Sequence, residues 1–363
     1  MLSWRQRGLV LYPLLPELAQ LVATGYCTRR RHARWPLYIY NYSQKAQFDY
    51  KAHNWPQPLR DARGLVLDET GSIAGRGFAK FFNLSQLPEV PGGEPEFWEK
   101  VDGSLILLFA YEGQRVFSPR GSFESAQARW AERWFATVAP GYLPPEGVTI
   151  LLEAIYPDNR VVLDYEGREE LVALGSVDRA GADVDAWQAL PSSIRRARFF
   201  GVADPRSLPA TEGEGFVLRW PDGTRAKVKL DEYVRLHRLI FGASTKTVWA
   251  ALRAGETPEA TTVDLPEELR AWITETAAGL RAEFAAVRTG VAGFVEEARQ
   301  LGLVGGPRKE FAAWVNAHAE IRARDWMGQV FRVADGRSVD DEIWRKVEPE
   351  FAQPEWARRE DGE

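Results

Sequence analysis

From residue 37 to residue 230 the chain is written in short apolar runs separated by turn residues, and this pattern constrains the fold most. The spacing predicts strands at 37–42, 64–68, 104–111, 114–118, 149–155, 160–163, 171–177, 215–220 and 225–229. Tyr111-Glu112-Gly113-Gln114 and Pro221-Asp222-Gly223-Thr224 supply hairpin turn chemistry. One amphipathic helix is expected at 122–138, opening on a serine cap with Glu124 in its first turn and carrying Ala126, Trp130, Trp134 and Phe135 at helical spacing. Strands in runs with few intervening helices imply an α+β fold with antiparallel sheets, not a doubly wound parallel one.

After about residue 241 the character changes. Pro266-Glu267-Glu268 opens a long helical pattern through Leu280, Phe284, Val287, Val291 and Phe294, with further helices expected at 308–323 and 339–346. The 363 residues therefore divide into a mixed domain, 1–243, and an all-helical domain, 244–363. Trp249, Trp272, Trp314, Trp326, Trp344 and Trp356 are scattered through the second, where packing is the ordinary use of so many indoles.

A single cysteine, Cys27, excludes a disulfide framework and a cysteine-rich zinc site, and only four histidines could replace it as metal ligands. The start lacks a secretory h-region and no run reaches eighteen apolar residues, so a cytoplasmic chain with no membrane partner is expected. The net charge of -5 speaks against a chain built wholly around phosphate contacts. Arg29, Arg30, Arg31, His32 and Arg34 nevertheless form a dense basic run, either a solvated helix end or loop, or a phosphate-contacting surface.

The segment Trp98-Glu99-Lys100-Val101-Asp102-Gly103-Ser104-Leu105 sets a lysine at the end of an apolar stretch, before an Asp-Gly turn and a strongly apolar strand. Desolvation and cationic neighbours there would make the amine nucleophilic. Arg63 and Lys80 each stand beside strand-like apolar residues, and Glu153 lies inside the apolar run 150–155, where a carboxylate is costly without a partner. Glu214 precedes another strand, and Lys227 and Lys229 alternate so that both amines leave one face. One nucleophilic lysine with further cations and two carboxylates suits phosphoryl or nucleotidyl chemistry.

These segments carry a resemblance. Lys100-Val101-Asp102-Gly103 resembles motif I of the covalent nucleotidyltransferases, the ATP-dependent DNA ligases, RNA ligases and mRNA capping enzymes. More specifically, six colinear motifs between about residues 36 and 238 resemble the T-even phage RNA ligase 1 family. They are Tyr38-Ile39-Tyr40-Asn41-Tyr42, Ala62-Arg63-Gly64, Lys80-Phe81-Phe82-Asn83-Leu84, Ser118-Pro119-Arg120-Gly121-Ser122, Pro157-Asp158-Asn159-Arg160-Val161-Val162-Leu163, and Glu212-Gly213-Glu214-Gly215-Phe216-Val217 leading to Lys227-Val228-Lys229.

The resemblance implies a nucleotidyltransferase (ATP-grasp-like) domain and a role for each matched residue. Lys100 would attack the α-phosphorus of ATP and hold AMP, with Lys227 and Lys229 stabilising charge at the α-phosphate. Arg63 and Lys80 would clamp the β- and γ-phosphates, and Tyr40, Glu99, Arg120 and Glu153 would line the nucleotide pocket. Glu214 and Glu153 would help to hold Mg²⁺ or Mn²⁺, largely through water. The phage ligase has lysine at the place of Arg120, so nucleotide geometry there is expected to differ, and the helical C-terminal domain offers no residue match that would transfer a tRNA substrate. The implied activity is ATP-dependent joining of RNA 3′-hydroxyl and 5′-phosphate ends in RNA repair, by a monomer. The other readings are a capping-type guanylyltransferase, a DNA ligase and a non-catalytic RNA-binding module.

Overall fold

The computed structural model describes residues 11–262, 265, 267–318 and 325–354. Two compact units divide at His237/Arg238. The first holds three sheets.

In the first sheet β1 (Cys27–Arg31), β2 (Leu37–Tyr42), β3 (Arg63–Asp68) and β4 (Ile73–Gly75) lie in that order, all antiparallel. The third sheet uses β5 (Phe82–Asn83), β6 (Glu96–Glu99), β11 (Phe199–Val202), β12 (Gly215–Arg219) and β13 (Arg225–Lys229), in the order β11-β6-β12-β13-β5. The second sheet has the order β10-β9-β7-β8, built from β7 (Ser104–Tyr111), β8 (Gln114–Ser118), β9 (Val148–Ile155) and β10 (Glu170–Asp178). Only the short β13/β5 contact is parallel among these ladders. The α+β expectation with antiparallel sheets is met.

The second sheet is apolar on both faces because both are covered. Leu105, Leu107 and Phe109 of β7 pack against Leu37, Ile39 and Val66 of the first sheet. Ile106 and Leu108 face the other way, toward Ala131 and Phe135 of the helix α4 (Ala126–Val138). A doubly buried strand needs an unbroken apolar run rather than alternation, which is what 104–111 provides. Its hairpin to β8 turns through Glu112 (φ 49°) and Gly113 (φ 71°), the two left-handed positions of a type I′ turn.

Three expectations are corrected. Helix α4 starts after Ser125, whose side chain accepts from the Ala128 amide, while Ser122 caps only a local turn by accepting from the Glu124 amide. Residues 160–163 form no strand, because the Val162 and Leu163 amides donate to the Asp102 carboxylate instead of to a neighbouring strand. The basic run is no helix end, and only its last part, His32 and Arg34, lies in a loop, between β1 and β2. Arg29, Arg30 and Arg31 lie on β1, the exposed edge of the first sheet.

In the second unit the long helix Glu267–Gln300 is followed by Arg308–His318, Met327–Ala334 and Asp340–Lys346, with Thr245–Arg253 before it. The expected helix at 308–323 is described to His318; its remaining residues, Trp356 and the chain start lie outside the described residues. The indoles are packed: Trp344 stacks on Phe284 at 4.4 Å, Trp314 on His318 at 4.8 Å, and the Trp249 Nε1–H donates to the Trp344 carbonyl. No described helix is long and apolar enough to cross a membrane.

Candidate active site

The three sheets converge on a cleft enclosing about 1130 Å³ of space free of protein atoms, part of it open to solvent. Its floor is one face of the third sheet, and strand register dictates what that face displays. Trp98, Val217 and Lys227 are cross-strand neighbours on β6, β12 and β13, and Glu96, Arg219 and Arg225 form the next rung. The opposite face carries Phe97, Phe216, Leu218 and Ala226 and is sealed in its own apolar cluster. Alternation therefore drives the lysines and arginines to the cleft side.

Lys100 follows β6, and its amide donates to the Gly215 carbonyl at 3.0 Å. Its amine lies 2.5 Å from Glu214 Oε2, and Lys229 Nζ lies 2.9 Å from Oε1 of the same buried carboxylate. Glycine at 215 is a steric requirement: a Cβ there would meet the Val228 carbonyl oxygen at 2.0 Å, at a φ of +141°. Gly103 answers a similar need, since a Cβ would sit 2.4 Å from the Ala154 carbonyl oxygen. Asp102 points away from the cleft. Its carboxylate accepts from the Val162 and Leu163 amides and from the Tyr233 hydroxyl at 2.7–2.9 Å, which pins the loop behind Lys100.

At one end of the cleft stand Arg63, Lys80 and Arg120 around the Tyr42 ring. Arg120 Nη1 donates to the Tyr42 hydroxyl at 2.9 Å, and Lys80 Nζ lies 4.3 Å from the Tyr42 ring and 4.5 Å from Trp55. Arg63 reaches this place through a bulge. Gly64 is an extra residue in β3 at φ 81°, so Arg63 leaves the face shared by Leu65 and Leu67 and lines the cleft with Leu105 and Glu153. Its Nη1 is buried without a hydrogen-bond partner among the described residues. An orphaned buried guanidinium donor in a cleft is a place for an anion.

Crowding of charge shifts several groups. Burial, then the neighbouring Lys100 and Lys229, lowers the Lys227 amine to about 8. Burial raises the Glu153 carboxyl to about 8 against the pull of Lys100, and Glu214 pushes the same way. Burial alone would raise the Tyr42 phenol, but Arg120, Lys80 and Arg63 bring it down to about 8. Burial also lowers Lys80. Perturbed titratable groups gathered in one cleft make it the candidate site of chemistry.

Of the residues singled out from the sequence, Lys100, Arg63, Lys80, Glu99, Arg120, Glu153 and Lys227 line the cleft; Glu214 joins through Lys100, and Lys229 through Glu214. The Glu99 carboxylate is already engaged by Arg195 at 2.8 Å and the Arg198 amide at 2.9 Å. Tyr40 is corrected: it does not line the cleft and packs with Leu18, Cys27 and Leu65 in the core beneath α1 (Leu15–Ala23). Tyr42, at the far end of β2, lines the cleft. Trp98, Asp183, Arg219 and Arg225 also line the cleft and were not picked out from the sequence, although the alternation of 225, 227 and 229 pointed to Arg225. Among the described residues no group of three or more His, Cys, Asp or Glu side chains could hold a metal. Glu153 and Glu214 offer hard oxygen donors, so an ion held with them would draw its other ligands from phosphate and water.

Residues 61–233 match a family described as RNA ligase. A provisionally named bifunctional polynucleotide kinase/RNA ligase of Autographa californica nuclear polyhedrosis virus is 27% identical, the match covering 53% of this chain and 33% of that protein. A provisionally named RNA ligase of Thermovibrio ammonificans is 28% identical, over 49% of this chain and 53% of that protein. The chain thus spans a third to about half the length of these relatives. Among solved structures, an archaeal ATP-dependent RNA ligase is similar with a TM-score of 0.44 at 15% identity, covering 80% of this chain and 90% of that one.

Proposed function

We propose, from the premise that residues 61–233 of this chain belong to the RNA ligase family, that the protein is an ATP-dependent RNA ligase working through a covalent adenylate on Lys100. The observation that carries the reading is the arrangement around Lys100: a nucleophile bonded to a buried carboxylate, with an orphaned Arg63 donor and two more cations at one end of the same cleft.

In the first step the Lys100 nitrogen attacks the α-phosphorus of ATP. The P–N bond forms as the bond from the α-phosphorus to the bridging oxygen breaks, and pyrophosphate leaves. Glu214, which accepts the Lys100 hydrogen bond, is the group placed to receive the proton. Arg63, Lys80 and Arg120 hold the triphosphate end and stabilise the leaving group, while Lys227 and Lys229 offset charge growing at the α-phosphate. Trp98, which lines the same cleft, is the indole assigned to the base. A divalent ion, Mg²⁺ or Mn²⁺, would sit against Glu153 and Glu214 and neutralise phosphate charge.

AMP then passes to an RNA 5′-phosphate, and a 3′-hydroxyl attacks the activated phosphate to form the phosphodiester with release of AMP. The same reading has residues 1–243 as the adenylyltransferase domain and 244–363 as a separate helical domain. The chain acts as a cytoplasmic monomer in RNA repair. Supplying ATP or GTP, with either a broken RNA or a nicked DNA, tests the substrate assignment. ATP with RNA should be the productive pair; preference for GTP points to a capping-type transferase and preference for nicked DNA to a DNA ligase.

A further inference from the structure

The basic run found in the sequence has no part in the cleft chemistry, yet the fold gives it a definite place. Arg29, Arg30 and Arg31 project from β1, the edge strand of the first sheet, where all three are exposed. Among the described residues none of them, nor Arg34, forms an ion pair; Arg29 lies over the Tyr38 ring at 3.8 Å and Arg34 over Trp35 at 4.4 Å. Three guanidinium groups without an ion pair on one edge strand, with Arg34 in the loop that follows and donating to Gln114 Oε1, concentrate positive charge in a chain of net charge -5.

The edge leads to the cleft. Cys27 at the start of β1 pairs with Tyr42, the residue around which Arg63, Lys80 and Arg120 gather. Arg29 and Arg31 pair with Tyr40 and Tyr38, so the arginines step away from the triphosphate end at about 7 Å per two residues. Beside the Cys27/Tyr42 end lies α2 (Gln44–Asp49), with Lys45 stacked on Tyr26 at 4.2 Å and the Phe48 side chain 87% exposed. A large aromatic left in water on the helix that carries Lys45 has no packing role. It matches the combination that binds single-stranded nucleic acid, cations for the backbone and a ring for a base.

We propose that β1, with Lys45 and Phe48 beside it, is the track along which single-stranded RNA lies as it enters the cleft. The inference rests on the reading of the chain as an RNA ligase and adds the surface that holds its substrate. Arg29, Arg30 and Arg31 contact phosphates, and Phe48 stacks on a base.

The test uses the full chain and two independent measurements: adenylation with labelled ATP in the absence of RNA, and affinity for a 5′-phosphorylated single-stranded RNA across a salt series. In R30Q/R31Q, adenylation should stay within about two-fold of wild type, affinity should fall roughly ten-fold, and the slope of log affinity on log salt should shrink by about 1.4. R30K/R31K, which keeps the charges, should keep the wild-type slope. Phe48→Ala should weaken binding roughly ten-fold with the slope unchanged. Wild-type affinity and slope in R30Q/R31Q would overturn the track and leave the arginines as guards against edge-to-edge strand pairing. A wild-type protein that adenylates but does not bind the RNA overturns it as well. If wild type fails to adenylate while R30Q/R31Q still loses RNA affinity, the ligase reading falls and the track stands.

Discussion

Lys100 and Lys229 share one carboxylate: Glu214 Oε2 lies 2.5 Å from the first amine and Oε1 lies 2.9 Å from the second. Glu214 is 3% exposed, so one buried carboxylate holds both amines in position. Removing one partner of such a cluster leaves uncompensated buried charge, at a cost on the order of 3–5 kcal/mol. Glu214→Gln keeps the shape and one acceptor but not the charge. Its rate of covalent labelling from ATP should drop at least about 100-fold. Labelling kinetics within a few-fold of wild type would show that Glu214 does not orient Lys100.

Lys227 and pH give a second expectation. Its folded-state amine titrates at about 8, against 10.5 for the ordinary group, because burial and neighbouring cations oppose its charge. Below pH 8 it is charged in both folded and unfolded chains and the full penalty, about 3 kcal/mol, is present. Between pH 8 and 10.5 the unfolded chain binds the extra proton, so the penalty fades as pH rises. Lys227→Met should therefore melt higher than wild type at pH 7, the gain should shrink toward pH 10, and adenylation should be lost. Thermal melts at the two pH values measure it. A variant melting below wild type at pH 7 contradicts the charge argument.

Tyr42 should titrate near pH 8, held there by Arg120, Lys80 and Arg63 against the effect of burial. A tyrosinate absorbance step near that pH is expected in wild type and not in Tyr42→Phe. Adding ATP should move the step upward, because a triphosphate among the same cations cancels the field that favours the phenolate. A step that ATP leaves in place would put the triphosphate elsewhere.

The two crowded glycines lead to a sharper structural expectation. Gly103→Ala and Gly215→Ala each bring a Cβ against a backbone carbonyl, and at 215 the φ of +141° adds strain. Neither neighbour is a flexible side-chain end. Each substitution should cost about 3 kcal/mol or more and abolish labelling, with denaturant melts as the check. Gly223→Ala is the control: its added Cβ meets nothing, so only the cost of its φ of +84° remains.

Much of this was legible because it is local. The strands at 37–42, 104–111, 114–118 and 225–229 carry their own turn residues or unbroken apolar runs, and the structure places strands with those bounds. The hidden strands are those whose pairing is remote or whose residues disguise it. Phe82–Asn83 is a strand only by virtue of Ala226 and Lys227. Cys27–Arg31 is an edge that tolerates charges because one side of its ladder is water. The cleft shows the same division. The presence of Lys100, Lys227 and Glu214 at or beside the cleft follows from alternation and from motif resemblance, whereas that of Tyr42 rather than Tyr40 depends on where β2 ends and on which residues gather there. Arg63 lies in the cleft because Gly64 interrupts β3, and a bulge leaves no mark in an apolar/polar pattern.

The most direct measurement is covalent labelling with ATP carrying its label on the α-phosphate, followed by peptide mapping. Wild type should retain label on the peptide containing Lys100, release pyrophosphate in equal amount, and pass the label to 5′-phosphorylated RNA; Lys100→Ala should take up none. Label that persists in Lys100→Ala, or a wild-type protein that takes up none, would contradict the account.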